Sequence, residues 1–199
     1  MSNPRFYLAS RSPRRRELLE QAGYAYAELP AGAADVDETP HAGEAAKEYV
    51  LRVAREKAAA GWRAVNAGGY RPLPVLGADT TVVLGDVILG KPGDVAHACA
   101  MLATLSGRTH QVYTAVALAD ANALSTRLSV STVEFRSIAA AEIEHYARTG
   151  EPLDKAGAYA VQGRAAIFIK AISGSYSGIM GLPLFETAEL LGTLGITPD

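Results

Sequence analysis

Carboxylates at two places in this 199-residue chain have the character of reactive or metal-binding groups. Asp79 interrupts an apolar stretch over residues 74–84, where a bare carboxylate is very costly to bury. It must therefore be paired, coordinated to a cation, or held by the amides of a turn. Three more carboxylates fall within residues 35–38, Asp-Val-Asp-Glu. They form either a solvated acidic loop or half of a divalent-metal site.

Cations are concentrated in the N-terminal segment 8–19, which combines a strand end, a polar turn and a helix start. Ser12 occupies the N-cap position, and Pro13 takes the first helical position, where its missing N–H costs nothing. Three arginines follow, although the positive end of the helix dipole favours acids there. They suit a bound anion, most simply phosphate, held by guanidinium and backbone N–H groups. The alternative is a solvated basic turn.

Lys57 is the third unusual position, on the apolar face of a helix predicted over residues 43–60. A lysine there either extends its ammonium group to solvent or points into a polar pocket. Carboxylates that bind Mg²⁺ or Mn²⁺, beside cations that bind phosphate, are the groups that metal-assisted hydrolysis of a phosphoanhydride requires.

The composition disfavours several other classes of protein. Nineteen Lys and Arg residues against 21 Asp and Glu residues give a net charge of -2, which disfavours a nucleic-acid binder. The glycine-rich motifs of dinucleotide enzymes and P-loop NTPases are absent, and the four histidines lack zinc-like spacing. The single cysteine, Cys99, reads as a buried inert thiol. The sequence shows neither a leader nor the apolar run of about 20 residues that would predict a membrane segment. A cytoplasmic enzyme is therefore expected.

The elements that must position these residues alternate between helices and strands, with neighbouring strands joined as hairpins. Gly85-Asp86 is a tight-turn dipeptide between an interrupted strand over 74–84 and a short strand over 87–89. Beyond it we predict strands over 109–118, 124–138 and 166–172, helices over 95–105, 139–149 and 183–194, and loops over 61–74 and 173–178. This order favours a mixed α/β sheet with helices packed against it. The length suits one domain or two small lobes, and we predict a single domain over residues 1–199.

A set of motifs spread over nearly the whole chain resembles the Maf-like nucleoside triphosphate pyrophosphatases. In order, they are Leu-Ala-Ser-Arg-Ser-Pro-Arg-Arg (8–15), Asp-Val-Asp-Glu (35–38), Ala-Arg-Glu-Lys-Ala (54–58), Gly-Ala-Asp-Thr (77–80), Gly-Lys-Pro (90–92), Leu-Ser-Gly (105–107), Glu-Pro-Leu-Asp-Lys-Ala-Gly-Ala-Tyr-Ala-Val-Gln-Gly (151–163) and Gly-Leu-Pro-Leu (181–184). The resemblance implies a mixed, elongated central sheet flanked by helices, with two lobes around a cleft, which is the inosine triphosphatase-like Maf/Ham fold.

The resemblance also implies cleavage of a nucleoside triphosphate between its α and β phosphates, in the cytoplasm and often by a homodimer. A divalent cation (Mg²⁺, Mn²⁺ or Co²⁺) would be held by Glu38 and Asp79, and Asp79 would act as the catalytic base for the attacking water. Substrate choice would depend on Arg14, Thr80 and Gln162. The phosphate groups would lie among Ser10, Ser12, Arg15, Lys57, Lys91 and Lys155.

Within the family, residues 154–163 look like the branch that acts on dTTP and UTP, with modified pyrimidine triphosphates as further candidates. The amide of Gln162 can pair with the O4/N3 edge of uracil or thymine, whereas a glutamate would suit the donor-rich edge of guanine. Two alternatives stay open: a 7-methylguanosine triphosphate pyrophosphatase on the same fold, and a non-enzymatic nucleotide-binding regulator of septum formation. No nucleic-acid or membrane partner is expected.

The three consecutive arginines of the first helix must serve different purposes. Successive helical residues point about 100° apart, so the three side chains cannot face one ligand. We predict that Arg14 contributes to substrate selection, that Arg15 binds phosphate, and that Arg16 faces solvent.

Overall fold

A mixed sheet forms the centre of the molecule in the computed structural model, which describes residues 3–199. Its strands are β1 (Phe6–Ala9), β2 (Tyr26–Glu28), β3 (Val75–Leu84), β4 (Val87–Leu89), β5 (Thr109–Ala119), β6 (Leu124–Phe135) and β7 (Ile169–Ser173). Their order is β2-β1-β3-β5-β6-β7, with β4 paired to β3. β1 is parallel to β2 and β3, whereas β3–β4, β3–β5, β5–β6 and β6–β7 are antiparallel pairs. The mixed sheet expected from the hairpin order is therefore confirmed.

Helices flank this sheet on both faces, as predicted. They are α1 (Pro13–Gln21), α2 (Ala46–Ala67), α3 (Val95–Leu105), α4 (Ala140–Ala147), α5 (Tyr176–Met180) and α6 (Leu184–Gly192). Short 3₁₀ turns cover Glu151–Asp154, Ala156–Ala158 and Arg164–Phe168. Within residues 3–199, no helix is both long and apolar enough to cross a lipid bilayer.

The alternation of side chains along β5 explains how the two faces are packed. Val116 and Leu118 belong to the core cluster that also contains side chains of α1 and α6. The alanines that alternate with them, Ala115 and Ala117, belong to a second cluster with α2. Successive residues of a strand point to opposite faces, so the large side chains fill one side and the small ones let α2 approach on the other. A third cluster, built around α3, α4 and the ring of Phe135, closes the far end of the sheet.

Two glycines lie inside α2 and β3, at positions where the sequence pattern predicts that these elements break. The pattern predicts a helix end before Gly61, yet α2 continues to Ala67. A Cβ at Gly61 would lie 2.6 Å from a methyl carbon of Leu29 and 2.8 Å from one of Val75, so this glycine permits close packing and does not end the helix. Likewise, β3 is one continuous strand, because the residues from Gly77 to Thr80 all pair with β5.

Smaller differences lie after residue 135. β6 ends at Phe135, three residues earlier than predicted, where its register with β7 shifts. The predicted start of β7 is instead a 3₁₀ turn over Arg164–Phe168. Part of the predicted loop over 173–178 is the short helix α5, whose N-cap Ser175 accepts a hydrogen bond from the N–H of Gly178. The ends of β6 and β7 are boundary differences, whereas α5 is an additional helix between β7 and α6.

Candidate active site

The centre of the candidate site is a buried ion pair between β3 and α2. Asp79 lies two residues after Gly77 on the strand face that α2 covers, and Lys57 projects from that helix. The Nζ atom of Lys57 donates a hydrogen bond to Oδ1 of Asp79 at 2.8 Å, and both residues are buried. Of the two alternatives for Lys57, the structure therefore shows the polar pocket.

Glu38 provides a second carboxylate to the same ammonium group. Its Oε1 lies 2.7 Å from Nζ of Lys57, so the lysine bridges two acids. The hydroxyl of Tyr49 donates a hydrogen bond to the backbone carbonyl of Glu38 at 2.9 Å, which fixes this loop against α2. Burial opposes ionisation of Glu38, but the hydrogen bond and charge of Lys57, helped by Lys91 and Arg15, outweigh it and lower the pKa.

Arg15 is a buried cation on the opposite face of β3. Its Nε donates to the backbone carbonyl of Gly181 at 2.7 Å, and its Nη1 donates to Oγ of Ser10 at 3.0 Å. Its Nη2 lies 3.4 Å from Oγ1 of Thr80, the neighbour of Asp79 in the strand. Burial lowers the pKa of Arg15, and the nearby charge of Asp79 partly opposes this shift. The guanidinium is therefore held rigidly between α1 and the strand.

Asp154 joins two sides of the cleft by pairing with two cations. Its Oδ2 accepts from Nη1 of Arg14 at 3.3 Å, and its Oδ1 accepts from Nζ of Lys155 at 2.6 Å. Lys155 also donates to the backbone carbonyl of Glu151 at 2.7 Å. Burial alone would raise the pKa of Asp154, but Lys155 and Arg14 lower it overall. Both cations are thereby held near the cleft.

One cleft of about 620 Å³ collects every predicted site residue. Those that line it are Ser10, Ser12, Arg14, Arg15, Glu38, Lys57, Asp79, Thr80, Lys91, Lys155 and Gln162. Within residues 3–199, the side chains of Lys91 and Gln162 make no hydrogen bond or ion pair, so both can bind a ligand. Arg16 is not part of the lining, and its guanidinium pairs with Glu28 at 3.0 Å.

Some contributors to the site were not recognised from the sequence. Thr114 lies opposite Thr80 in the β5 register, with its Oγ1 at 3.1 Å from that of Thr80 and 2.7 Å from the carbonyl of Gly178. A polar side chain inside an apolar strand is the available signal, and it is the kind of signal that identifies Asp79. The sequence identifies Asp154 only as part of a motif, because its pairing with Arg14, 140 residues away, is set by the tertiary fold.

His110 is buried next to the site but is not suited to proton transfer at neutral pH. Its Nε2 lies 2.9 Å from the hydroxyl of Tyr159, whose residue lines the cleft. Burial lowers the pKa of His110 to about 4, so the imidazole is neutral at pH 7. In the described part of the chain, residues 3–199, no group of three or more His, Cys, Asp or Glu side chains could hold a metal.

Comparison with known proteins identifies the family. Residues 5–194 match the family model described as Maf-like protein. The chain belongs to this family. The dTTP/UTP pyrophosphatase of Aromatoleum aromaticum is 56% identical to this Maf-like chain over 200 residues, which cover 96% of each protein. The dTTP/UTP pyrophosphatase of Nitrosospira multiformis is 55% identical, and the match covers 94% of this chain and 93% of the relative.

The resemblance seen in the sequence motifs is therefore confirmed at the level of the Maf-like family. A third relative, the dTTP/UTP pyrophosphatase of Nitrosomonas europaea, is 54% identical over 196 residues, with 96% of this chain and 95% of the relative covered. Among solved structures, the match with the Staphylococcus aureus Ham1 protein covers 68% of this chain and 72% of the Ham1 chain. The TM-score is 0.43 and the sequence identity is 16%.

Proposed function

We propose that this Maf-like protein hydrolyses dTTP and UTP to the nucleoside monophosphate and pyrophosphate, with modified pyrimidine triphosphates as further candidate substrates. The proposal rests on one feature: the cleft combines the buried Asp79 and the exposed Glu38, bridged by Lys57, with further cations and an exposed amide at Gln162. The relatives named dTTP/UTP pyrophosphatase, at 54% to 56% identity, support this choice of substrate.

A divalent cation, Mg²⁺, Mn²⁺ or Co²⁺, fits the pair formed by Glu38 and Asp79. The Oδ2 atom of Asp79 is buried and has no hydrogen-bond partner among residues 3–199, so it is an unused acceptor. A pair of carboxylates suits Mg²⁺, which usually completes its coordination with substrate phosphates and water. When bound, the cation would supply Lewis-acid polarisation of the phosphate oxygens.

The residues of the cleft would accept the proton of the attacking water and stabilise the leaving pyrophosphate. A water molecule forms a new P–O bond at the α–β anhydride, the bond to pyrophosphate breaks, and the carboxylate of Asp79 accepts the proton of the water. The leaving pyrophosphate is strongly anionic, so fixed cations and hydroxyl donors around it lower the barrier. We assign this function to Ser10, Ser12, Arg15, Lys57, Lys91 and Lys155.

Substrate choice would depend on Arg14, Thr80 and Gln162, which line the same cleft as the proposed phosphate-binding residues. Gln162 offers an amide with both a donor and an acceptor, which matches the O4/N3 edge of uracil and thymine. Arg14 and Thr80 line the same cleft, with Arg14 held by Asp154 and Thr80 contacted by Arg15.

The first test is a panel of triphosphates, assayed for pyrophosphate release with Mg²⁺, Mn²⁺ and Co²⁺. We expect turnover of dTTP and UTP that falls to background with excess chelator and returns when the cation is added back. Equal rates with and without chelator would contradict the metal proposal. Faster turnover of 7-methylguanosine triphosphate would favour that alternative, and nucleotide binding without any turnover would favour a non-enzymatic regulator.

A Gln162→Glu substitution tests the proposed base contact. The added carboxylate only accepts hydrogen bonds, so it cannot donate to O4, and we expect the preference for UTP over GTP to fall by about tenfold or more. The measurement is the ratio of kcat/KM values for the two nucleotides. Gln21→Glu, an exposed change at the end of α1, is the matched control and should leave the ratio unchanged. An unchanged ratio in the Gln162 variant would remove this residue from the specificity set.

The remaining expectations stand as proposals of the same model. A cytoplasmic location follows from the proposed nucleoside triphosphate substrates. The homodimer, the absence of nucleic-acid and membrane partners, and a single domain over residues 1–199 stay predictions.

A further inference from the structure

Glu151 lies behind the cleft wall and binds the backbone that carries Gln162. Its Oε1 accepts a hydrogen bond from the hydroxyl of Tyr146 at 2.9 Å. The backbone N–H of Arg164 donates to the same carboxylate, at 3.0 Å from Oε1 and 3.2 Å from Oε2. The hydroxyl of Tyr146 in turn accepts from the backbone N–H of Ala160 at 3.2 Å. The half-buried acid and the buried phenol therefore contact the chain on both sides of Gln162.

Residues 160–163 form a tight turn between these two attachment points. The N–H of Gly163 donates to the carbonyl of Ala160 at 3.1 Å, which places Gln162 at the third position of the turn. The side chain of Gln162 makes no hydrogen bond within residues 3–199, so the backbone of the turn alone sets the direction of its Cα–Cβ bond. Whatever holds the turn therefore also sets the point from which the amide reaches into the cleft.

Gly163 is required for this arrangement because the carboxylate of Glu151 lies directly against its Cα. A Cβ on residue 163 would overlap all three atoms of the carboxylate group. A larger residue would therefore push the acid away from the N–H of Arg164. The sequence motif 151–163 begins and ends with the two residues in this contact.

Although Glu151 does not line the cleft, it contacts Lys155, one of the proposed phosphate-binding residues. Its backbone carbonyl accepts the hydrogen bond from Lys155, so one residue supports both a cation and the turn. The burial of Tyr146 and its hydrogen bond to Glu151 both raise the pKa of the phenol, which stays protonated and able to donate.

We propose that Glu151 is a positioning residue for nucleobase selection, which acts with Tyr146 to hold the turn that presents Gln162 to a pyrimidine imide edge. The inference rests on the proposed function, because it assumes that Gln162 reads the base. Loss of the carboxylate frees the turn, so the amide samples several directions and its contact with the correct base weakens. Selection between bases then suffers more than hydrolysis itself.

The test compares kcat/KM for UTP and CTP in the wild type, Glu151→Ala, Glu151→Gln and Tyr146→Phe. This ratio does not depend on the fraction of active enzyme, so a variant that merely folds less well leaves it unchanged. We expect Glu151→Ala to lower the ratio about tenfold, mainly through a higher KM for UTP, the equivalent of roughly one lost hydrogen bond. Glu151→Gln keeps one carbonyl acceptor and should restore most of the preference.

Glu144→Ala is the matched control, because Glu144 is an exposed acid of α4 whose carboxylate pairs with Arg148. It should behave as the wild type does. If Glu151→Ala fails to fold, as judged by circular dichroism, Tyr146→Phe decides: it should lower the ratio by a smaller factor. An unchanged ratio in Glu151→Ala, or in Tyr146→Phe when the alanine variant is unfolded, would overturn the inference. A wild type that hydrolyses no triphosphate would instead overturn the proposed function.

Discussion

Replacement of Asp79 by Asn is expected to lower kcat by about a thousandfold or more while the protein stays folded. The amide has nearly the same shape but cannot accept a proton from water at neutral pH. It also removes one negative charge from the pair that is proposed to hold the divalent cation. Both effects act on the chemical step, so kcat should fall far more than the affinity for nucleotide.

The fold should survive this change because Lys57 has a second acidic partner. Removing one member of a buried ion pair commonly costs about 3–5 kcal/mol, since the other charge is left unpaired. Here the ammonium group keeps Glu38 at 2.7 Å, and the Asn carbonyl can still accept the bond that Oδ1 of Asp79 now accepts. We therefore expect a change in the free energy of unfolding well below that range.

Rates of pyrophosphate release and urea denaturation curves check both parts of this prediction. Asp86→Asn, at the exposed tip of the β3–β4 hairpin, makes the same chemical change away from the cleft and should leave both quantities unchanged. An Asp79→Asn variant that keeps more than about a tenth of the wild-type kcat would be incompatible with general-base catalysis by Asp79.

The importance of Asp79 could be predicted from the sequence because the cost of burying a carboxylate is a local property. Its partner could not be predicted in the same way. Lys57 is 22 residues earlier in the chain, and helical spacing left it with two options, solvent or a pocket. Only the packing of α2 against β3 decides between them. The roles of Arg14 and Gln162 in substrate choice come from the family resemblance alone. The run of arginines predicts only anion binding, and Gln162 is not unusual in its local sequence.

The function of a glycine is harder to predict from the local sequence than that of a buried carboxylate. Gly85 lies in the predicted hairpin turn, where its φ is 60°. A residue without a Cβ adopts this positive φ without steric cost. Local propensity predicts a helix end at Gly61 and a strand interruption at Gly77, because glycine is unfavourable in the interior of both elements. Both are instead sites where a helix and a strand come unusually close. Whether a glycine serves a turn or a close contact depends on a neighbour that is distant in sequence.

Gly77→Ala is therefore expected to destabilise the protein by about 2–3 kcal/mol and to reduce its activity. A Cβ at this position would lie 2.6 Å from the carbonyl oxygen of Ala54, 2.6 Å from the nitrogen of Ala58 and 3.1 Å from the Cα of Ala58. These are backbone atoms of α2, which cannot move aside as a flexible side chain can. The helix as a whole must shift away from β3.

The shift would act directly on the catalytic pair, because Lys57 precedes Ala58 in α2 and Asp79 lies two residues after Gly77 in β3. A longer separation weakens their hydrogen bond, now 2.8 Å, and disturbs the bridge to Glu38. We therefore expect kcat to fall together with the free energy of unfolding, measured by urea denaturation at a temperature where both proteins are folded.

Gly192→Ala provides the matched control for the same chemical change. No atom lies within 4 Å of a Cβ built at Gly192, which is the last residue of α6, far from the cleft lining. Alanine in a helix is favoured over glycine by up to about 1 kcal/mol, so this variant should be as stable as the wild type or slightly more so. A Gly77→Ala protein as stable and active as the Gly192→Ala protein would mean that α2 and β3 can separate without cost. The close approach of these two elements would then not be what holds Lys57 against Asp79.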